Sequence, residues 1–116
     1  MFSSEELKLL ENKYNLALAS VDEIKQINYY PSYPAAISEF MACLVQSPWG
    51  DYNYKPEHVS TIMEKIESAT FDEIRWVLTA SNRAERFCDG SWRETLEKQK
   101  LNPVFERLNT LIEIGQ

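Results

Sequence analysis

The chain is predicted to fold as an all-α bundle of five or six helices with short connections. Capping signals of helix type recur along its 116 residues, and apolar residues repeat at three- and four-residue spacing instead of alternating as strands do. Only three glycines punctuate it, so no glycine-rich linker divides the chain. A chain of this length buries one core, so residues 1–116 are expected to form a single domain.

The elements follow in order. Ser3 and Glu6 form a capping box, in which each side chain accepts the other residue's backbone N–H. Leu7, Leu10, Tyr14 and Leu18 then repeat at helical spacing, placing a first helix at about 4–19. Ser20 with Glu23 is expected to cap a short second helix, which the stretch NYYPSYP breaks because proline disfavours helix at the residue before it. Pro34 suits a first helical position, and Ile37, Phe40, Met41, Leu44 and Val45 trace one apolar face as far as Ser47-Pro48. Beyond the loop SPWGDYNYK, Pro56 opens a helix whose Val59, Ile62, Met63 and Ile66 keep the spacing until near Ser68. Thr70 with Glu73 is a second capping box, and Ile74, Val77, Leu78 and Ser81 continue an inward face. Ser91 with Glu94 is expected to cap a shorter helix carrying Trp92 and Leu96. Asn102-Pro103 starts the last, with Val104, Phe105, Leu108, Leu111 and Ile112 inward.

Composition bounds the function. With 44% hydrophobic and 26% charged residues, the chain reads as globular, neither disordered nor fibrous. The net charge of −6 is uneven: residues 1–70 hold ten acids against five lysines, and all five arginines lie beyond residue 70. An acidic first part argues against nucleic acid, whose affinity comes from neutralising phosphates. It suits a basic protein partner or simple solubility. No apolar run approaches the roughly 18 residues of a membrane span, and the opening MFSSEELKLLENKYN lacks the basic start and apolar run of a signal peptide. A cytoplasmic location is the default expectation. Cys43 and Cys88 are too few for a disulfide framework and read as small core residues.

The stretch RAERFCDGSW, residues 83–92, concentrates charge, a thiol and two aromatic rings. Projected from Ile74 at 100° per residue, Glu85 and Cys88 fall on the inward side with Val77, Leu78 and Ser81. A carboxylate there must be paired or lose its charge; Arg86, Arg93 and Arg107 are the partners within reach. Arg83 shares the other side with Trp76, Ala80 and Phe87, where a guanidinium can stack on a ring.

The pattern Arg83-x-Glu85-Arg86-Phe87-Cys88-x-Gly90-x-Trp92, followed by a last helix carrying Arg107-Leu108, resembles the signature of a bacterial and phage family, domain of unknown function 6508. The resemblance is specific over about 71–112. Before that it rests on the spacing of Tyr33, Phe40 and Trp49, and Ala84 stands where the family usually has glycine. It implies a helical fold and singles out the cluster, without an activity.

Three readings of the cluster stand side by side. As a brace, Gly90 supplies a positive φ, Ser91 caps the next helix, Trp92 packs over the corner and Glu85 pairs with an arginine. As a ligand site, Arg83 and Arg86 receive a phosphate or carboxylate, with Trp92 as stacking face. As a catalytic site, Glu85 or Asp89 is a general base, or Cys88 a nucleophile. His58 is the only histidine, so no zinc ligand set forms and a Cys–His pair depends on the fold. Three glycines exclude a dinucleotide fingerprint or phosphate loop, no Asp-rich calcium loop occurs, and Glu64 with Glu67 lacks the Glu-x-x-His of a di-iron site. No cofactor is expected.

Tyr29, Tyr30, Tyr33, Tyr52 and Tyr54 lie with Trp49 in the two loops around the helix that Pro34 opens. Such rings either cap the core or, exposed together, anchor a protein partner. Asp51 and Glu57 would then favour a basic one. The expectation is a small acidic binding module, favoured over an enzyme, acting on a protein through Tyr30, Tyr33 and Trp49, with Arg83, Glu85, Arg86, Asp89 and Trp92 as brace or polar anchor. Small size, acidity and family context point to an inhibitor of host defence or an immunity protein. The alternative is a small enzyme or a nucleotide- or anion-binding domain at the Arg83–Trp92 corner.

Overall fold

The computed structural model describes residues 1–27, 30–84 and 90–115, with the backbone alone at Tyr30. Among the described residues it is a bundle of six α-helices with one small hairpin. Helix α1, Ser4–Ala19, starts in the expected box: the Glu6 N–H donates to Ser3 Oγ at 3.1 Å and the Ser3 N–H to Glu6 Oε1 at 2.8 Å. Its Leu7, Leu10, Tyr14 and Ala17 are buried against α2, Ala35–Leu44, which contributes Ile37, Phe40 and Leu44. Pro34 stands one residue outside α2, as its cap.

The short second helix is a single 3₁₀ turn, Val21–Glu23. Ser20 does not cap it, because its hydroxyl donates back to Leu16 O at 2.8 Å and closes α1 instead. The chain then forms an antiparallel hairpin, β1 Lys25–Ile27 with β2 Tyr30–Ser32, in which Lys25 faces Ser32 and Ile27 faces Tyr30. Three-residue strands are too short to display alternation, and all of β1 is exposed, so periodicity could not reveal it.

The helix expected from Pro56 to Ser68 is broken into a 3₁₀ turn at Pro56–His58, α3 at Val59–Glu64 and a second 3₁₀ turn at Ile66–Ser68. Helix α4, Phe71–Ala84, begins in the Thr70–Glu73 box, with both bonds formed at 2.9 and 3.2 Å. Helix α5, Ser91–Glu97, is entered from Gly90 at φ 90°, so Ser91 is its first helical residue and not its cap. A left-handed glycine sets the path of the chain into that helix. Helix α6, Asn102–Glu113, buries Val104, Phe105, Leu108 and Leu111.

Aromatic rings tie the helices together. Trp92 of α5 is fully buried and meets Phe40 of α2 edge-on at 5.5 Å, Phe40 meets Tyr14 at 5.5 Å, and Tyr14 stacks on Phe105 of α6 at 4.5 Å. The Tyr14 hydroxyl donates to Asn102 Oδ1 at 2.7 Å. Burial pushes its pKa up to about 12, so it stays a donor. A second group joins Phe2, Trp49 and Phe71, whose ring centres lie 4.7 to 6.0 Å apart. Among the described residues no helix is long and apolar enough to cross a membrane.

Candidate functional site

The loop from α2 to α3 lies against the outward face of α4. Its first turn closes when the Trp49 and Gly50 N–H groups donate to Gln46 O at 2.9 and 3.1 Å. Gly50 suits the tight space there: a Cβ would fall 3.0 Å from both Leu44 O and Val45 O, closer than most such contacts. Asp51 then fastens the loop. Its N–H donates to Thr79 Oγ1 at 3.0 Å, and its carboxylate accepts from the Asn53 N–H at 2.9 Å and from Trp76 Nε1 at 3.0 Å. Arg75 adds a second fastening, with Nη2 donating to Gly50 O at 2.7 Å.

This bonding sets the charge on Asp51. The Asn53 N–H, with smaller help from Trp76 and the Arg75 charge, holds the carboxyl below its ordinary value against an opposing effect of burial. The folded pKa is therefore the lower one, and between the two values the folded chain binds fewer protons than the unfolded chain. The stabilisation is complete above the unfolded carboxylate value of about 3.9 and is lost as pH falls through the folded value. Asp51→Asn should accordingly be less stable than wild type in urea unfolding at about pH 7, with the gap narrowing at about pH 3. A gap that stayed constant across that range would refute the role given to the carboxylate.

The fastened loop presents its aromatic side chains unequally. Tyr52 is 72% exposed at the tip. Tyr54 is half-buried beneath Arg83, whose Cζ lies 5.7 Å from the ring centre. Further along, Lys55 Nζ and the His58 ring stand 6.0 and 6.1 Å from the Trp76 ring. His58, Thr61, Lys65, Glu73 and Trp76 line a shallow cleft of about 160 Å³ between α3 and α4.

The residues singled out in the sequence separate into three groups. Trp49, 3% exposed, and Trp92, 0% exposed, are core residues; their rings pack and present no face to a partner or ligand. Tyr33 is half-buried and packs on the core. Arg83 does stack on an aromatic ring, but the ring is Tyr54, brought in from the loop, and not Trp76 of its own helix. Glu85, Arg86 and Asp89, with Phe87 and Cys88, lie outside the described residues, as does the ring of Tyr30. Two of the arginines offered to Glu85 are engaged elsewhere: Arg93 Nε donates to Glu97 Oε1 at 3.0 Å and Arg107 Nε to Ala69 O at 2.9 Å. Among the described residues, no group of three His, Cys, Asp or Glu could hold a metal. Burial raises the Cys43 thiol, the opposite of what a nucleophile needs.

Sequence reasoning passed over Asn82, which closes the corner. Its Nδ2 donates to Met41 O at 3.2 Å and its Oδ1 accepts from Trp92 Nε1 at 3.3 Å, joining α2, α4 and α5. It also passed over the fastening role of Asp51 and Thr79. The available signal was the Asp-x-Asn spacing of an Asx turn at 51–53; Thr79 projects away from the inward face of α4 and is buried by the loop itself.

Residues 20–114 match the model of a family described as a family of unknown function (DUF6508), a wider span than the 71–112 on which the resemblance was specific. No curated protein and no solved structure matches the chain.

Proposed function

The chain belongs to the family of unknown function DUF6508, and from the geometry of its fastened loop we propose that it acts as a protein-binding module. The observation that carries this reading is the exposed Tyr52, held out by a loop that Asp51 and Arg75 tie to α4. Holding a loop in its bound form before the encounter lowers the ordering cost of association. A tyrosine at such a tip gives a large, stiff contact with one polar end. Glu57 is exposed nearby, and the overall charge of −6 favours a basic partner surface. Inhibition of a host defence protein, or immunity against a toxin, is the form of such binding that small size and acidity suit best.

Tyr52→Ala tests the reading. So exposed a ring contributes little to folding, so stability should stay within about 0.5 kcal/mol of wild type. A partner retained by the wild-type protein should lose about 2 kcal/mol or more of binding, the scale of an interface anchor, roughly thirtyfold in Kd. Unchanged affinity of an identified partner for the variant would overturn the assignment of this surface.

A second reading has one observation in its favour. Arg83 Nε is buried with no hydrogen-bond acceptor among the described residues, and its guanidinium lies on a tyrosine ring, an arrangement that suits an anion. Phosphate that raised the melting temperature of wild type but not of Arg83→Gln would favour this reading over the loop.

A further inference from the structure

Arg107 of α6 lines two clefts, one against the 3₁₀ turn at Ile66–Ser68 and one at the start of α4. The smaller, about 280 Å³, is lined by Ile66, Pro103 and Thr110 with the carboxylates of Glu67 and Glu106. The larger, about 460 Å³, is lined by Met1, Thr70, Phe71, Asp72 and Leu111. That volume falls within the range of small-molecule sites, about 300–1,000 Å³. The Nε bond to Ala69 O holds the guanidinium in place. It is the hydrogen bond Arg107 makes among the described residues, so its terminal N–H groups remain for a ligand.

The two clefts differ in charge and in apolar surface. Two carboxylates oppose Arg107 in the smaller, which disfavours an anion there. In the larger the acid is Asp72, largely exposed and 3.4 Å from the Arg75 guanidinium, which partly offsets its charge. Thr70 Oγ1 accepts from the Glu73 N–H at 3.2 Å, leaving its O–H to donate. Phe71, Leu111 and Met1 supply the apolar surface. An arginine fork whose plane is already fixed suits a planar carboxylate.

We propose that the larger cleft binds a small apolar molecule bearing one carboxylate. Arg107 and the Thr70 hydroxyl take the carboxylate, and Phe71 and Leu111 cover the apolar body. The site is separate from the Tyr52 loop and stands or falls independently of the protein-binding reading.

The test is an NMR titration of the whole chain with octanoate, with octanol and acetate as single-feature controls. Octanoate should shift the amides of Thr70, Asp72 and Leu111 and bind at least about tenfold more tightly than either control. Arg107→Gln should weaken octanoate by at least about tenfold and leave octanol unchanged, the scale of a charge-assisted hydrogen bond. Asp72→Asn, on an exposed side chain, should tighten octanoate by about two- to threefold by removing a like charge. If Arg107→Gln fails to fold, the Asp72→Asn gain and the weakening of octanoate by salt carry the test. Octanol binding as tightly as octanoate, shifts confined to other residues, or no binding at millimolar octanoate would each overturn the proposal.

Discussion

Trp92→Ala should lower the unfolding free energy by about 3–5 kcal/mol, the scale for deleting a fully buried aromatic side chain. Trp92 is 0% exposed, packs edge-on against Phe40 and donates its Nε1 to Asn82. Alanine would open a cavity between α2 and α5 and strand the Asn82 oxygen, and a buried acceptor without a donor adds a cost of its own. Urea unfolding at constant slope measures the loss. Trp92→Phe limits the cavity effect, since it keeps a buried aromatic ring while losing the N–H and the volume of the five-membered ring. It should retain more than half of the stability difference between Trp92→Ala and wild type. A Trp92→Ala loss below about 1 kcal/mol would contradict the central packing position given to this ring.

Gly50→Ala should cost about 1–3 kcal/mol, the range for forcing atoms into occupied space. The added Cβ would meet Leu44 O and Val45 O at 3.0 Å. Both are backbone atoms at the end of α2, and neither can swing aside as a side-chain tip would. The loop must move outward instead, and Gly50 O and Asp51 then leave the positions where Arg75, Thr79 and Trp76 meet them. The variant should therefore lose partner binding through Tyr52 as well as stability, whereas Tyr52→Ala should lose binding alone. Circular dichroism in urea and partner affinity, measured on both variants, separate the outcomes. An unchanged Gly50→Ala protein would show that the turn has room the contact distances deny.

Much of the helical scaffold is legible in the sequence. The Ser3–Glu6 and Thr70–Glu73 boxes formed as read, and Leu7, Leu10 and Tyr14 or Ile74, Val77 and Leu78 took the inward faces their spacing required. Gly90 has the positive φ expected of it. Ser20 and Ser91 carry the same type of capping signal, and neither caps. A serine can equally close the preceding helix, as Ser20 does through Leu16 O, or yield the cap position to a left-handed glycine before it. The aromatic loops were legible as aromatic, but which rings would be buried was not. Trp49 went into the core and Tyr52 stayed out, although they stand three residues apart in one loop.

The sequence by itself determined an all-helical scaffold of five or six helices and where most of its helices begin. The signals for these act over four residues or fewer: a cap bonds its own first turn, and a stripe repeats every third or fourth position. Tertiary structure alone decided what the loop and the corner became. Asp51 meets Trp76 across 25 residues and Thr79 across 28, and Asn82 meets Met41 across 41. Such pairs form because helix packing brings a buried donor beside an acceptor that would otherwise cost free energy unpaired. No local pattern records which acceptor that will be.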